Sequence, residues 1–290
     1  MASSKKATTS KATPRLEVKK TYKLYINGAF PRSESGRVYE VSNAKGGFIA
    51  NPSLASRKDL RDAVVAARAA QSGWAKATAY NRGQILYRIA EMLEGRADQF
   101  ASEIALATGT TLKKAQDEVL TAIDRWVWYA GWSDKLSAAF GATNPVSGPY
   151  YNFTIPEPQG VIAVAPAESF LALIDAIAPA IVSGNTAIAL VPGSAAIAAM
   201  TFAEVLETSD LPAGVINILT GSHDELAPWA ASHMDIDGFD ISGIDKKKRT
   251  DLKVAGAENL KRIHSFDGAI SPTRIYAFME AKTVWHPIGV

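Results

Sequence analysis

The sequence predicts an α/β protein built on a doubly wound parallel sheet. Short runs of small and β-branched apolar residues recur in the second half of the chain, at 160–166, 186–191, 214–221 and 236–241. Segments with apolar residues at helical spacing separate them, at 171–181, 195–206 and 224–232. The runs lack the in–out alternation of a half-exposed strand, as strands covered on both faces do. Alternating strands and helices of this kind pack as a parallel sheet with helices on each side.

Along the chain, residues 1–20 are rich in Ser, Thr, Ala and Lys, and a disordered tail is expected. The first 23 residues carry six Lys and one Arg, which accounts for most of the positive balance in a net charge of +2. Residues 22–26 read as a strand entering an Asn27-Gly28 turn, with residues 38–41 as the hairpin mate. Ser56 followed by Asp59 three residues on is a helix N-cap with an acid at N3. Leu60, Val64, Ala67 and Ala70 then recur at helical spacing up to Trp74. A second helix starts near Tyr80 with the stripe Ile85, Leu86, Ile89, Met92 and Leu93; a third, 100–108, stops at Gly109; a fourth runs from Leu112. The aromatic group Trp126, Trp128, Tyr129 and Trp132 on that fourth helix reads as packing rather than a ligand platform. Residues 148–156 form an exposed, aromatic ribbon. Past Gly243, a solvated helix opens at 245–249 and ends near Asn259, Ile263 starts a strand, and 275–285 is a short helix or turn feeding a last strand.

Composition narrows the function. With no cysteine, disulfides, Cys-ligated zinc and a thiolate nucleophile are excluded. The longest apolar stretch, 170–190, is broken by Asp175, Pro179 and Gly184-Asn185, and the opening residues lack the apolar core of a secretory signal. A cytoplasmic protein with no membrane partner is therefore expected. Nucleic acid is not expected either, because the body has no basic stripe interleaved with aromatics. His223, His233, His264 and His286 are scattered without metal-ligand spacing, so no metal site is expected, and no glycine-rich phosphate loop occurs.

Several stretches, in order, resemble the aldehyde dehydrogenase family: Leu24-Tyr25-Ile26-Asn27-Gly28, Ala66 through Trp74, Glu157-Pro158-Gln159-Gly160-Val161, Ala178-Pro179-Ala180 with Gly184-Asn185-Thr186, Leu211-Pro212-Ala213-Gly214-Val215, and Asn259-Leu260-Lys261-Arg262. The similarity covers about residues 21–268 and resumes at 271–287. It implies a Rossmann-type nicotinamide-cofactor domain at 21–138 and 157–268, and a β bridging, oligomerisation element at 139–156 and 271–290.

The resemblance also implies what chemistry would require, and the sequence departs from it repeatedly. The family's oxyanion-stabilising amide falls on Glu168, a carboxylate that would repel a developing oxyanion. Its cofactor lysine falls on Leu190 or Val191. Its general base falls on Phe266, while Asp267, one place along, would point to the opposite face of a strand. The family's nucleophilic thiol, with the domain that holds it, would lie between Gly268 and Ser271. Ser242 and Gly243 keep the small residues that a phosphate-binding helix start needs, so weak NAD(P) binding at a vestigial site is the most that is expected, and catalytic residues none. Interface residues are expected at Tyr151, Phe153, Ile155, Lys282, Val284 and Trp285. A non-catalytic structural or regulatory subunit follows, docking its last strand on a full-length aldehyde dehydrogenase. Pairing with itself through the helix after Gly243 is a further expectation. The alternatives are a residual NAD(P)-binding module, or a dehydrogenase completed by a partner's catalytic domain.

Overall fold

A computed structural model describes residues 16, 18–268 and 270–289. The expected disordered tail lies mostly outside the described residues. Residues 16 and 18–20, at its root, are exposed and in no regular element.

A small hairpin, β1 (Val41–Ser42) and β2 (Phe48–Ala50), precedes four helices: α1 (Arg57–Lys76), α2 (Ala79–Glu94), α3 (Ala97–Thr108) and α4 (Leu112–Ala130). α1 starts on a full capping box: Ser56 accepts from Lys58 and Asp59 backbone N–H groups, and the Asp59 carboxylate accepts from Ser56 N–H at 2.8 Å. α3 stops at Gly109, whose φ of 71° is the left-handed region. The short helix α5 (Leu136–Phe140) leads into β3 (Ala142–Asn144) and β4 (Tyr150–Pro158).

The main layer then alternates: β5 (Val161–Val164), α6 (Phe170–Val182), β6 (Thr186–Val191), α7 (Ala196–Glu207), β7 (Ile216–Thr220), α8 (His223–Ser232), β8 (Gly238–Asp240), α9 (Arg249–Ala257) and β9 (Arg262–His264). The chain ends with α10 (Pro272–Tyr276) and β10 (Met279–Pro287). The five parallel strands lie in the order β7-β6-β5-β8-β9, which is doubly wound. Alternate residues of each strand feed two cores. Ile162 and Val164 face a core with α4, α6 and α7, while Val161 and Ala163 face one with α1 and α8. Burial on both faces is why the strands read as continuous apolar runs.

Trp126 and Tyr129 are fully buried and Trp128 and Trp132 pack against them, so the aromatic group of α4 is core. The N-terminal hairpin is a correction. Asn27 and Gly28, both at positive φ, turn the chain as expected, but Ile26 pairs only with Ala29 across that turn. Tyr25 bridges to Ile218 on β7, and Val38 bridges to Ser53 rather than to residues 22–26. The open edge of β7 supplied a partner that local pattern could not reveal.

Candidate functional site

In an open parallel sheet, ligands bind outside the carboxyl ends of the strands where the order reverses. Here that point lies between β5 and β8, and the chain has filled it. Gly243 N–H donates to the Ala165 carbonyl at 2.8 Å, and Ala165 N–H donates to Asp240 O at 2.8 Å. A Cβ on Gly243 would stand 2.2 Å from the Pro166 carbonyl carbon and 2.3 Å from Ala167 N, so the two loops meet backbone to backbone.

No helix starts at Ser242-Gly243, contrary to the sequence expectation. α9 begins at Arg249, after a short 3-10 turn at Lys246–Lys248. The cause is Asp240, buried at the end of β8. Its carboxylate accepts from Ser242 N–H at 2.9 Å and from the Ser242 hydroxyl, closing a side-chain turn that competes with a helix N-terminus. The hydroxyl accepts in turn from Phe266 N–H at 2.8 Å. The donors that could have met a phosphate are thus engaged.

Glu168 is used in a similar way. Its carboxylate crosses to the turn after β6 and accepts from Ser194 N–H at 2.7 Å and Ser194 Oγ at 2.8 Å, seated against Gly193. At the end of β6, Leu190 and Val191 are buried, and the Leu190 carbonyl is bound by His223 Nε2 at 2.8 Å. Burial pushes His223 below the ordinary histidine value.

Phe266 is half-buried, stacks on His264 and meets Phe278 edge-on. Asp267 is exposed, and because β9 ends at His264 it and Phe266 lie in irregular chain, where strand alternation does not apply.

Sequence reading missed Arg274. From α10 it enters the protein, only 4% exposed, with Nη2 3.5 Å from Asp240 Oδ2 and its guanidinium 4.9 Å over the Phe266 ring. Arg125 and Asp175 form a second pair at 3.0 Å, and Tyr129 lies within electrostatic reach of all four charges. Burial raises Asp240 and Asp175 above the ordinary carboxylate value, opposed by the Ser242 donors and Arg274 in one case and by Arg125 and Arg274 in the other. An Arg within a five-residue helix, with its acids far away in sequence, gave no local signal.

Beside the closed crevice a cleft of about 270 Å³ opens between α8 and α9. Ala227, Pro228, Ile244 and Leu252 form apolar walls, and Lys248 is paired with Asp224 at the rim. Among the described residues no group of three or more potential metal ligands converges, and no helix is long and apolar enough to cross a membrane.

The second candidate site is the three-stranded antiparallel sheet, ordered β10-β4-β3. All nine residues of β10 pair with β4, from Met279↔Pro158 to Pro287↔Tyr150. The register divides the six expected interface residues. Tyr151, Phe153, Ile155, Lys282 and Val284 share one face, whereas Trp285 lies on the other, opposite Asn152. That second face is a polar ladder. Asn144 Nδ2 donates to Asn152 Oδ1 at 2.6 Å and to Thr154 Oγ1 at 2.9 Å, and Thr154 shares a hydrogen bond with Thr283 at 3.0 Å. Trp285 closes it edge-on to Tyr150, with ring centroids 5.8 Å apart.

The strand order and the crevice define a dinucleotide-fold protein with a separate antiparallel β arm. Residues 30–284 match the model of the aldehyde dehydrogenase family, and the chain belongs to that family. It is 35% identical over 272 residues to retinal dehydrogenase 2 of Homo sapiens, covering 91% of this chain and 52% of that protein. It is 30% identical over 286 residues to an aldehyde dehydrogenase of Emericella nidulans, covering 96% and 56%. Among solved structures, the NAD+ complex of a Bacillus cereus aldehyde dehydrogenase superposes with a TM-score of 0.77 at 26% identity, over 84% of this chain and 50% of that one. The chain thus spans about half the length of the curated relatives it matches. Its 290 residues hold no cysteine, and they form an aldehyde-dehydrogenase-like module without a thiol nucleophile of its own.

Proposed function

We propose that this chain is a structural or regulatory subunit that docks β10 on the sheet of a full-length aldehyde dehydrogenase. The observation that carries the reading is the outer edge of β10, which among the described residues bonds β4 on one side and no strand on the other. Nine residues offer an edge of roughly 30 Å, rising about 3.4 Å each, and main-chain pairing along such an edge is a recognised binding mode. Tyr151, Phe153, Ile155 and Val284 give the same arm an apolar face to bury. Co-expression with a full-length family member, followed by native mass spectrometry, tests the reading. A mixed oligomer is expected, and it should be lost when residues 280–290 are removed. A stable monomer indifferent to the partner refutes it.

The α8–α9 cleft favours a second reading, a residual NAD(P)-binding module, because its apolar walls suit a flat ring. Against it stand the engaged donors of Ser242 and Ser194. Titration with NAD(H), followed by the fluorescence of the six tryptophans, decides between them. No change at millimolar cofactor ends the second reading.

A further inference from the structure

Asp240 touches both functional regions. One carboxylate oxygen holds Ser242, in the turn that closes the crevice, and the other faces Arg274, in the helix that runs directly into β10. Ser242 also receives Phe266 N–H, and Phe266 lies under the Arg274 guanidinium. Asp240, Ser242, Phe266 and Arg274 therefore form a closed ring of contacts. It joins the end of β8, the exit of β9 and the start of the C-terminal arm. Asp240 is 1% exposed and Arg274 4%, so water cannot substitute readily for either partner. Nε and Nη1 of Arg274 and the Tyr129 hydroxyl have no hydrogen-bond partner among the described residues. The guanidinium thus depends on few contacts, and its position is sensitive to each of them.

We infer that Asp240 is a positioning residue that couples the switch-point turn to the C-terminal arm, so that a disturbance of Arg274 is felt at Ser242 and Gly243. Arg274 touches neither amide. Ser242 N–H is bound by Asp240, and Gly243 N–H by Ala165. A residue that merely anchored α10 would leave both unchanged. The inference concerns the chain alone and is independent of whether a partner docks on β10.

Hydrogen exchange of the purified chain, resolved by NMR, tests it. Arg274→Met strands the Asp240 carboxylate in the interior, and the amides of Ser242, Gly243 and Phe266 are expected to exchange at least tenfold faster while those of α2 keep their rates. The double variant Arg274→Met/Asp240→Leu removes both charges together, which restores the melting temperature where a buried pair is exchanged for apolar groups. Ser242 N–H then has no acceptor and should stay fast, separating positioning from stability. Arg274→Met that speeds exchange in α10 alone overturns the inference. So does a double variant that returns Ser242 to its wild-type rate.

Discussion

Gly243→Ala puts the closed crevice to a direct test. The added methyl would sit 2.2–2.3 Å from three backbone atoms of Pro166 and Ala167, where ordinary contact needs well over 3 Å. Backbone cannot rotate away as a side chain can, so one of the two loops must shift by about an ångström. Overpacking of this kind costs about 1–3 kcal/mol. The shift also stretches the bond from Gly243 N–H to Ala165 O, 2.8 Å long in the native chain, adding about 0.5–1.5 kcal/mol. Together these give about 2–4 kcal/mol, which for a chain of this size lowers Tm by roughly 4–12 °C. Urea unfolding followed by tryptophan fluorescence, with calorimetry for Tm, measures the change. Gly73→Ala is the control. It lies in α1 with nothing within 4 Å of the new methyl, so it should stabilise by about 0.5–1 kcal/mol through helix propensity. If Gly243→Ala is as harmless as Gly73→Ala, the loops are not in backbone contact and the crevice is open.

Other outcomes follow from the same structure. Arg82→Met removes a buried guanidinium that donates to the carbonyls of Val182, Ala75 and Ala77, and leaving them unpaired should cost about 3–5 kcal/mol in urea unfolding. Burial holds His223 below its ordinary value of 6.5. The folded state then binds fewer protons than the unfolded one below that pH, so stability is full above 6.5 and falls as the pH drops through it. The decline in urea midpoint between pH 7.5 and 5.5 should be shallower in His223→Gln; an unchanged slope shows that the ring titrates freely. Glu168→Gln, an exposed change, should alter stability by less than about 1 kcal/mol and should leave the purified chain without NAD-dependent aldehyde oxidation. Oxidation at an ordinary enzymatic rate by either form contradicts the proposed subunit role.

Where neighbours in sequence decide the structure, the sequence was informative. The capping box at Ser56 and Asp59, the stop at Gly109 and the run 186–191 that became β6 are all local or periodic features. The pairing of Tyr25 with Ile218 was hidden because it depends on which sheet edge is free after the fold closes. The candidate site divides likewise. Glu168 and Phe266 could be named from their places in family-like segments, but their contacts could not: one reaches Ser194 across a loop, and the other packs under an arginine from the end of the chain. Ser242 and Gly243 looked available for the same reason, since Asp240 and Ala165, which take their N–H groups, are not visible in the local pattern. Trp285 seemed to belong with Val284 until the register placed adjacent residues on opposite sides.

The β arm is lopsided: one margin is the nine-residue β10, the other the three-residue β3. A ribbon with one long border and one short one favours a neighbour along the long side. Under the proposed docking, that long side would be used up by the larger sheet, leaving only the short border for any further strand.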